Sequence, residues 1–331
     1  RFQGRFRNTF LEAIDRLKQD MDFEQIVSLI EAGDIEGAVR AVGLEPENFP
    51  DMKEVNAEAL AAAGEETANR IPKSGKVKFE FEPGNPRAER AVDELNTGLM
   101  RGLNGGPDIS EEGKTAVRNH IREGLENGDN PRVVARRLRG TFNKVTQQFD
   151  GGIIGLTDKQ QEFVGNARRQ LQSGDPTEMR KYLGRKLRDR RFDSRVTRAI
   201  KNGETLDQAT VDKLTNAYNR KYVKFRAETV ARDQALSALT QGQQEGLDQA
   251  VQSGRVREDQ IVQTWRFADD DRVRQSHRIT NGQKRKRDEA FDTPLGPMRF
   301  PRDPQGTPAN RIQCRCTLTI QFKQDEKVPG V

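Results

Sequence analysis

Apolar residues recur at helical spacing through most of the chain. Leu11, Ile14 and Leu17 form one stripe, and Phe23, Val27 and Ile30 continue it after a break. Asp34 reads as the cap of a short helix through Val42, which Gly43 ends. Asp51 to Arg70 has a weaker, alanine-rich helical pattern. The period then changes. Over Lys76 to Glu82, Val77, Phe79 and Phe81 alternate with Lys and Glu, which predicts a half-buried strand. Pro83-Gly84-Asn85-Pro86 turns the chain into a helix reaching about Met100, and Asn104-Gly105-Gly106-Pro107 reads as a loop and a domain boundary.

A run of capped helices follows. Ser110 is expected to open one, with Glu111 and Glu112 favourable in its first turn and Val117, Ile121 and Leu125 as its stripe. Asn130 caps a second with Pro131 at its first position, striped by Val134 and Leu138 and closed by Gly140. Thr157 and Gln160 form a capping box ahead of Phe163, Ala167 and Leu171. Asp175-Pro176 with Glu178 repeats the device ahead of Met179, Leu183 and Leu187. Thr205 with Gln208 opens the longest helix, expected from Asp207 to about Val251. Its stripe is rich in alanine, and Gly242 and Gly246 are positions where it could bend.

Val262 to Phe322 has a different character, with short strand patterns, turns and prolines. Trp265 and Phe267 are placed on a strand. Asp271 to His277 reads as a helical turn capped by an Asp, and the basic run Lys284-Arg285-Lys286-Arg287 reads as a loop. The last stretch alternates: Ile312, Cys314, Cys316, Leu318, Ile320 and Phe322 share one face, so both thiols point to one inward side. These patterns predict a mainly α fold, with helical N-terminal and middle regions and a small C-terminal α+β domain. The expected organisation is residues 1–103 helical with one strand, 104–204 capped helices, 205–322 the long helix plus the α+β unit, and 323–331 a tail.

Composition narrows this picture. With 33% hydrophobic, 33% charged and 6% aromatic residues, the 331-residue chain supports several small helical cores better than one large globule. The net charge of +6 favours polyanions as neighbours, although a well-solvated surface accounts for it equally. There is no apolar run of membrane-spanning length and no secretion signal at Arg1 to Arg7. A first residue other than Met points to a fragment, a trimmed form or a processed product. The 2 cysteines make no disulfide framework, which fits a reducing compartment such as bacterial cytoplasm.

Three features carry candidate chemistry. The helix pair 110–127 and 131–139 has helix-turn-helix length, with Arg132, Arg136, Arg137 and Arg139 on its second helix. An ordinary helical hairpin is the favoured reading. Residues 180–201 are strongly basic: Arg180, Lys181, Arg185, Lys186, Arg188, Arg190, Arg191 and Arg195, with Arg198 and Lys201 beyond, face only Asp189 and Asp193. Such density can neutralise DNA phosphates without reading sequence, or it can be a solvated face. Third, Cys314 and Cys316 at i and i+2 of a strand can both offer thiolates to zinc, with His277 as a third ligand and Asp271 or water as a fourth. Two small buried hydrophobes and a hydrogen-bonded core histidine explain the same residues. A Cys314–Cys316 disulfide is disfavoured on a straight strand.

In order and spacing, Trp265, Asp270 or Asp271, Arg272 to Arg274, His277, Asn281 to Gln283, Phe291 to Gly296, Pro301 to Pro304 and Cys314-Arg315-Cys316 resemble the Mu F-like minor head protein family of tailed phages. Arg226 to Asp233 resembles the family's lead-in helix, although Asp233 departs from the usual Thr-Glu or Ser-Glu. Where some relatives carry a further histidine before the final cysteine motif, this chain has Arg311, so His277, Cys314 and Cys316 are carried over as candidate ligands only.

The resemblance implies a non-enzymatic virion protein of head morphogenesis. It further implies association with portal and capsid or scaffold proteins, contact with double-stranded DNA without sequence preference, and no membrane. Such a protein resides in the capsid interior, and in host cytoplasm during assembly. Two other classes are weighed against it. A metal-dependent nuclease or hydrolase would use Asp271, His277 and the cysteines, but the chain has only 2 histidines and no P-loop or His-Glu-x-x-His. A stand-alone DNA-binding regulator would rest on the helical pair and would bind selectively without residues 255–331.

Overall fold

The computed structural model of the protein describes residues 1–73, 78–101, 109–311 and 313–323. Val77, the loop 104–107, Ile312 and residues 324–331 of the expected tail lie outside the described residues. The fold is mainly α. In chain order it has α1 (Phe2–Asp20), α2 (Phe23–Glu31), α3 (Ile35–Ala41), α4 (Pro50–Arg70), α5 (Pro86–Arg101), α6 (Ser110–Glu126) and α7 (Pro131–Arg139). These are followed by β1 (Thr141–Asn143), β2 (Gln148–Asp150), α8 (Asp158–Gln172), α9 (Pro176–Leu183), α10 (Asp193–Asn202) and α11 (Gln208–Gln252). The C-terminal elements are β3 (Ile261–Arg266), α12 (Gln275–Thr280), β4 (Lys284–Lys286), α13 (Pro308–Arg311) and β5 (Thr317–Phe322). Among the described residues, no helix is long and apolar enough to cross a membrane.

Contacts divide the chain into two units, each assembled from separated stretches. One comprises Arg1–Phe6, Pro50–Asp108 and Thr229–Val331; the other comprises Arg7–Phe49 and Ile109–Glu228. The 45-residue helix α11 contributes residues to both.

In the unit holding residues 109–228, local capping behaves largely as the residues dictate. Asp34, Asn130 and Asp175 accept backbone N–H groups at the starts of α3, α7 and α9, and Thr157 with Gln160 closes a full capping box on α8. Ser110 departs from expectation. Its hydroxyl donates 2.6 Å to the Leu44 carbonyl instead of capping α6. Asp207, not Thr205, receives the backbone N–H and the hydroxyl of Thr210 at the head of α11. A short hairpin that periodicity did not signal, β1–β2, pairs Phe142 with Phe149. Its entry needs Gly140 at φ 90°, where a Cβ would come within 2.6 Å of the Asp150 carbonyl oxygen. A compact core of Ala167, Leu171, Met179, Tyr182, Val196, Leu214 and Tyr218 joins α8, α9, α10 and the start of α11.

The expected helix through Leu187 ends instead at Leu183. A turn and a 3₁₀ segment, Arg190–Phe192, precede α10, so the basic stretch is folded into three pieces rather than one face. The helical pair α6–α7 is a closely packed hairpin with one buried face on each helix. Val134 sits so close to Gly124 that a Cβ there would lie 2.6 Å from Cγ2 of Val134. Arg132 is bidentate on Glu24, Arg137 bonds Asp129, and Arg139 lies over the rings of Phe23 and Phe149. A recognition helix needs such side chains free for base edges.

In the other unit, α4, α5 and the second half of α11 pack beside an antiparallel sheet of order β4-β3-β5. Gly242 of α11 meets α4 backbone to backbone: a Cβ there would lie 2.1 Å from the Leu60 carbonyl oxygen. The strand expected over 76–82 does not form across residues 78–82. Phe81 instead fills the space over Gly64, and the backbone N–H and C=O of Glu82 bond the side-chain amide of Gln249 at 2.9 and 3.1 Å. Alternation supplied an apolar face, but a glutamine replaced the neighbouring strand. Conversely, Lys284 to Lys286, expected as a loop, form strand β4 against Thr264 to Val262. Phe267 lies just past the end of β3, and α12 begins after Arg274 without a side-chain cap, so no Asp caps it.

Candidate functional site

The sheet places the first residue of the site. Trp265 is fully buried on β3, paired with Leu318 of β5. The approach to β5 keeps the alternation read from sequence: Cys314, Cys316 and Leu318 are buried, while Gln313, Thr317 and Thr319 are exposed. One buried guanidinium holds this strip. Arg302 donates from Nη1 to the carbonyl oxygens of Cys314 (2.6 Å) and Cys316 (3.1 Å), while its Nη2 bonds the Thr240 hydroxyl. Two residues apart on an extended stretch, the two thiols share one face. At Gln313, where φ is 54°, the backbone N–H is received by Asp233 at 3.1 Å. Burial raises the carboxyl pKa of Asp233.

Helix α12 then delivers His277, which is 2% exposed and stands edge-on to Trp265 at 5.7 Å between ring centroids. Its Nδ1 lies 3.6 Å from Sγ of Cys314 and 3.4 Å from Sγ of Cys316. The three donor atoms lie within 4.8 Å of one another. Around a tetrahedral zinc, bond lengths of about 2.3 Å to sulfur and about 2.1 Å to nitrogen put S and N ligands about 3.6 Å apart. The observed spacings match those edges.

The second ring nitrogen decides whether Nδ1 has a lone pair to offer. Nε2 lies 3.2 Å from Oδ1 of Asn310, which is fully buried. The amide orientation of Asn310 is set by its other end, because Nδ2 faces the Gly296 carbonyl at 3.1 Å and the Thr293 hydroxyl oxygen at 2.8 Å. A carbonyl only accepts, so Nδ2 belongs there and Oδ1 faces the imidazole. Nε2 therefore carries the proton, and the lone pair of Nδ1 points at the sulfurs. Outer partners orient metal-bound histidines in this way.

The thiols are electrostatically unequal. The Cys316 thiol, donating to Cys314, and the nearby Arg302 guanidinium hold the Cys314 pKa well below the ordinary thiol range despite burial. Cys316 is pushed the other way by that same contact and by burial, while the buried indole N–H of Trp265, which has no conventional partner, favours its thiolate. The arrangement holds one negative sulfur readily and would hold two with a cation between them.

Asp271, the possible fourth ligand, is exposed and lies outside the cluster. Its neighbour Asp270 is bound bidentately by Arg315, which holds that carboxyl well below its usual range. Arg274 donates 3.4 Å to the Asn310 carbonyl and lines a cleft beside the triad. His277, Cys314 and Cys316 thus converge on one point with Trp265 against them. The Asn310, Arg302 and Asp233 contacts that brace them had no sequence signal, since each joins residues distant along the chain.

Residues 190–319, from the turn before α10 to β5, match the family model described as Phage Mu protein F like protein. Over this segment the chain is Mu F-like. No curated protein and no solved structure matches it. The matched Mu F-like segment contains α10, α11, β3, β4, the start of β5 and all three residues of the cluster.

Of the basic residues ahead of and within that segment, several are engaged internally. Lys181 bonds Glu178, Arg185 bonds Gln170 and lies over Tyr218, Arg188 is bidentate on Asp193, and Arg191 is bidentate on Asp189. Arg180, Lys186, Arg190, Arg195, Arg198 and Lys201 are exposed. Lys181 and Arg191 are exposed as well although paired, and the positive surface is drawn from α9, α10 and the turns between them.

Proposed function

We propose that this chain is a minor head protein of a tailed phage, acting in head morphogenesis next to the portal and the packaged DNA. In this reading, His277, Cys314 and Cys316 hold a zinc ion that fastens the C-terminal unit. The observation that carries the reading is the Mu F-like match over residues 190–319, which contains these three side chains. Zinc would contribute a cross-link between the thiols ahead of β5 and the imidazole of α12, inside the core formed by Trp265, Phe291, Met298, Phe300 and Leu318. The residues' own part is to present a preset lone pair on Nδ1, to keep Cys314 ready to deprotonate, and to shield the bonds behind Trp265.

Exposed Lys186, Arg190, Arg195, Arg198 and Lys201 support a sequence-indifferent contact with DNA phosphates. The capsid interior supplies that polyanion at high concentration. The test is co-expression of the chain with phage portal and capsid proteins, followed by isolation of procapsids and elemental analysis of the purified chain. The expected result is co-sedimentation with portal-containing procapsids and about one zinc per chain. A chain absent from such particles would sink the head assignment, and zinc below about a tenth of the chain concentration would remove the metal.

A further inference from the structure

We infer that the zinc site proposed above is open on one side, and that its fourth ligand is an oxyanion of the phosphate class captured in an arginine-lined cleft. This rests on the metal reading and deepens it. His277 and Cys316 are both wall residues of a cleft of about 200 Å³, so an ion held among the three donors would have that space beside it. The rest of the wall is Arg232, Arg272, Arg274 and Arg315, with Val273 and Gln313 between them. Among the described residues, the wall offers no carboxylate, further thiol or second imidazole to complete a tetrahedron. Three protein ligands with an open position is the arrangement of zinc sites that take an exogenous ligand.

The charges around the cleft select what enters. Asp270 is bound bidentately by Arg315 and lies 3.5 Å from Arg272. Asp233 faces Gln313 from α11. Four guanidiniums therefore line the space, with Asp270 paired to Arg315 and Asp233 held by the Gln313 N–H, and a dication bound by two thiolates would add no net negative charge to oppose an anion. Arg272 has a side chain 77% exposed and lies 3.5 Å from Asp270. Planar guanidinium forks match the paired oxygens of phosphate. At about 30 Å³ per water, the cleft has room for a phosphate group in place of several waters. Two sources share this chemistry: free phosphate, and a phosphodiester of the packaged nucleic acid.

The full chain loaded with Co(II) in place of zinc reports on the site through its visible absorption. Inorganic phosphate, a short DNA duplex and acetate are titrated separately. Expected are one Co(II) per chain and a saturable spectral change with phosphate that acetate and chloride do not reproduce. Arg232→Ala and Arg272→Ala should each weaken the phosphate response about tenfold, the scale of one charge-assisted hydrogen bond, with Co(II) stoichiometry unchanged. A response to the duplex at lower concentration than to phosphate identifies nucleic acid as the source, and the reverse identifies the free ion. Full Co(II) uptake with a spectrum that phosphate leaves unmoved, or that acetate moves equally, overturns the open position while the metal site stands. No Co(II) uptake removes both.

Discussion

Oδ1 of Asn310 lies 3.2 Å from Nε2 of His277, and this contact decides which nitrogen of the imidazole faces the cysteines. Asn310 reaches it from α13, anchored at its other end by the Gly296 carbonyl. The pair links a four-residue helix to a six-residue one, and neither has stability of its own beyond such contacts.

Replacing Asn310 with Ala frees the imidazole to rotate and to change tautomer. Loss of an outer partner of this kind typically costs about 10–100-fold in metal affinity. The buried groups left behind should also lower stability by about 1–3 kcal/mol. Chelator competition and urea unfolding read the two effects separately. Unchanged zinc affinity would show that the ring is oriented by Trp265 alone.

Gly242→Ala tests the closest approach of α4 and α11. The added Cβ would meet backbone, at 2.1 Å from the carbonyl oxygen and 2.9 Å from the Cα of Leu60, so no side chain can simply rotate away. Overpacking of this sort costs about 1–3 kcal/mol, occasionally more, and outweighs the gain of about 1 kcal/mol in helix propensity. The same substitution at Gly254, which follows α11 and has open space around it, meets no such obstruction; there φ of 68° alone sets the strain. Thermal midpoints of the two variants should differ accordingly, with Gly242→Ala the lower.

His120 makes folding sensitive to acid. It is 9% exposed on α6, with Nε2 3.4 Å from the Val134 carbonyl, and burial lowers its pKa to about 4. An unfolded chain titrates near 6.5. Between these values the unfolded state binds a proton that the folded state refuses, so stability is present above about pH 6.5 and falls as pH drops toward 4, by up to ~3 kcal/mol. His120→Leu should flatten that part of the curve. Urea midpoints at pH 7 and pH 5 for both chains check this, and equal slopes would contradict it.

The basic surface predicts a salt law. Lys186→Ala, Arg195→Ala and Arg198→Ala should each weaken binding to any DNA sequence alike. Each phosphate contact removed should reduce the slope of log affinity against log salt by about 0.9. Lys181→Ala, whose partner is Glu178, should have a smaller effect. Filter binding or anisotropy across salt concentrations provides the slopes. Sequence-dependent losses would point to base contacts from elsewhere.

Much of this architecture was legible in the letters. Asn130 before Pro131, the Thr157–Gln160 box and the alanine stripe of α11 are local devices: a cap bonds a backbone group two or three residues away, and helical period depends only on neighbours along the chain. The alternation that buries Cys314, Cys316 and Leu318 was readable for the same reason, and so was the Mu F-like order of residues. What depended on distant partners was not readable. Phe79 and Phe81 had the spacing of a strand but no strand to pair with, and Lys284 to Lys286 looked like a loop until β3 supplied one. Ser110 was a capping residue by type, yet Leu44 offered its hydroxyl a better-placed acceptor. The convergence of His277 on the two sulfurs, the turn of its ring by Asn310, and the exclusion of Asp271 were all decided by tertiary structure. Residue type determines which bonds a side chain can make, and only the folded chain determines which partner stands within 3 or 4 Å of it.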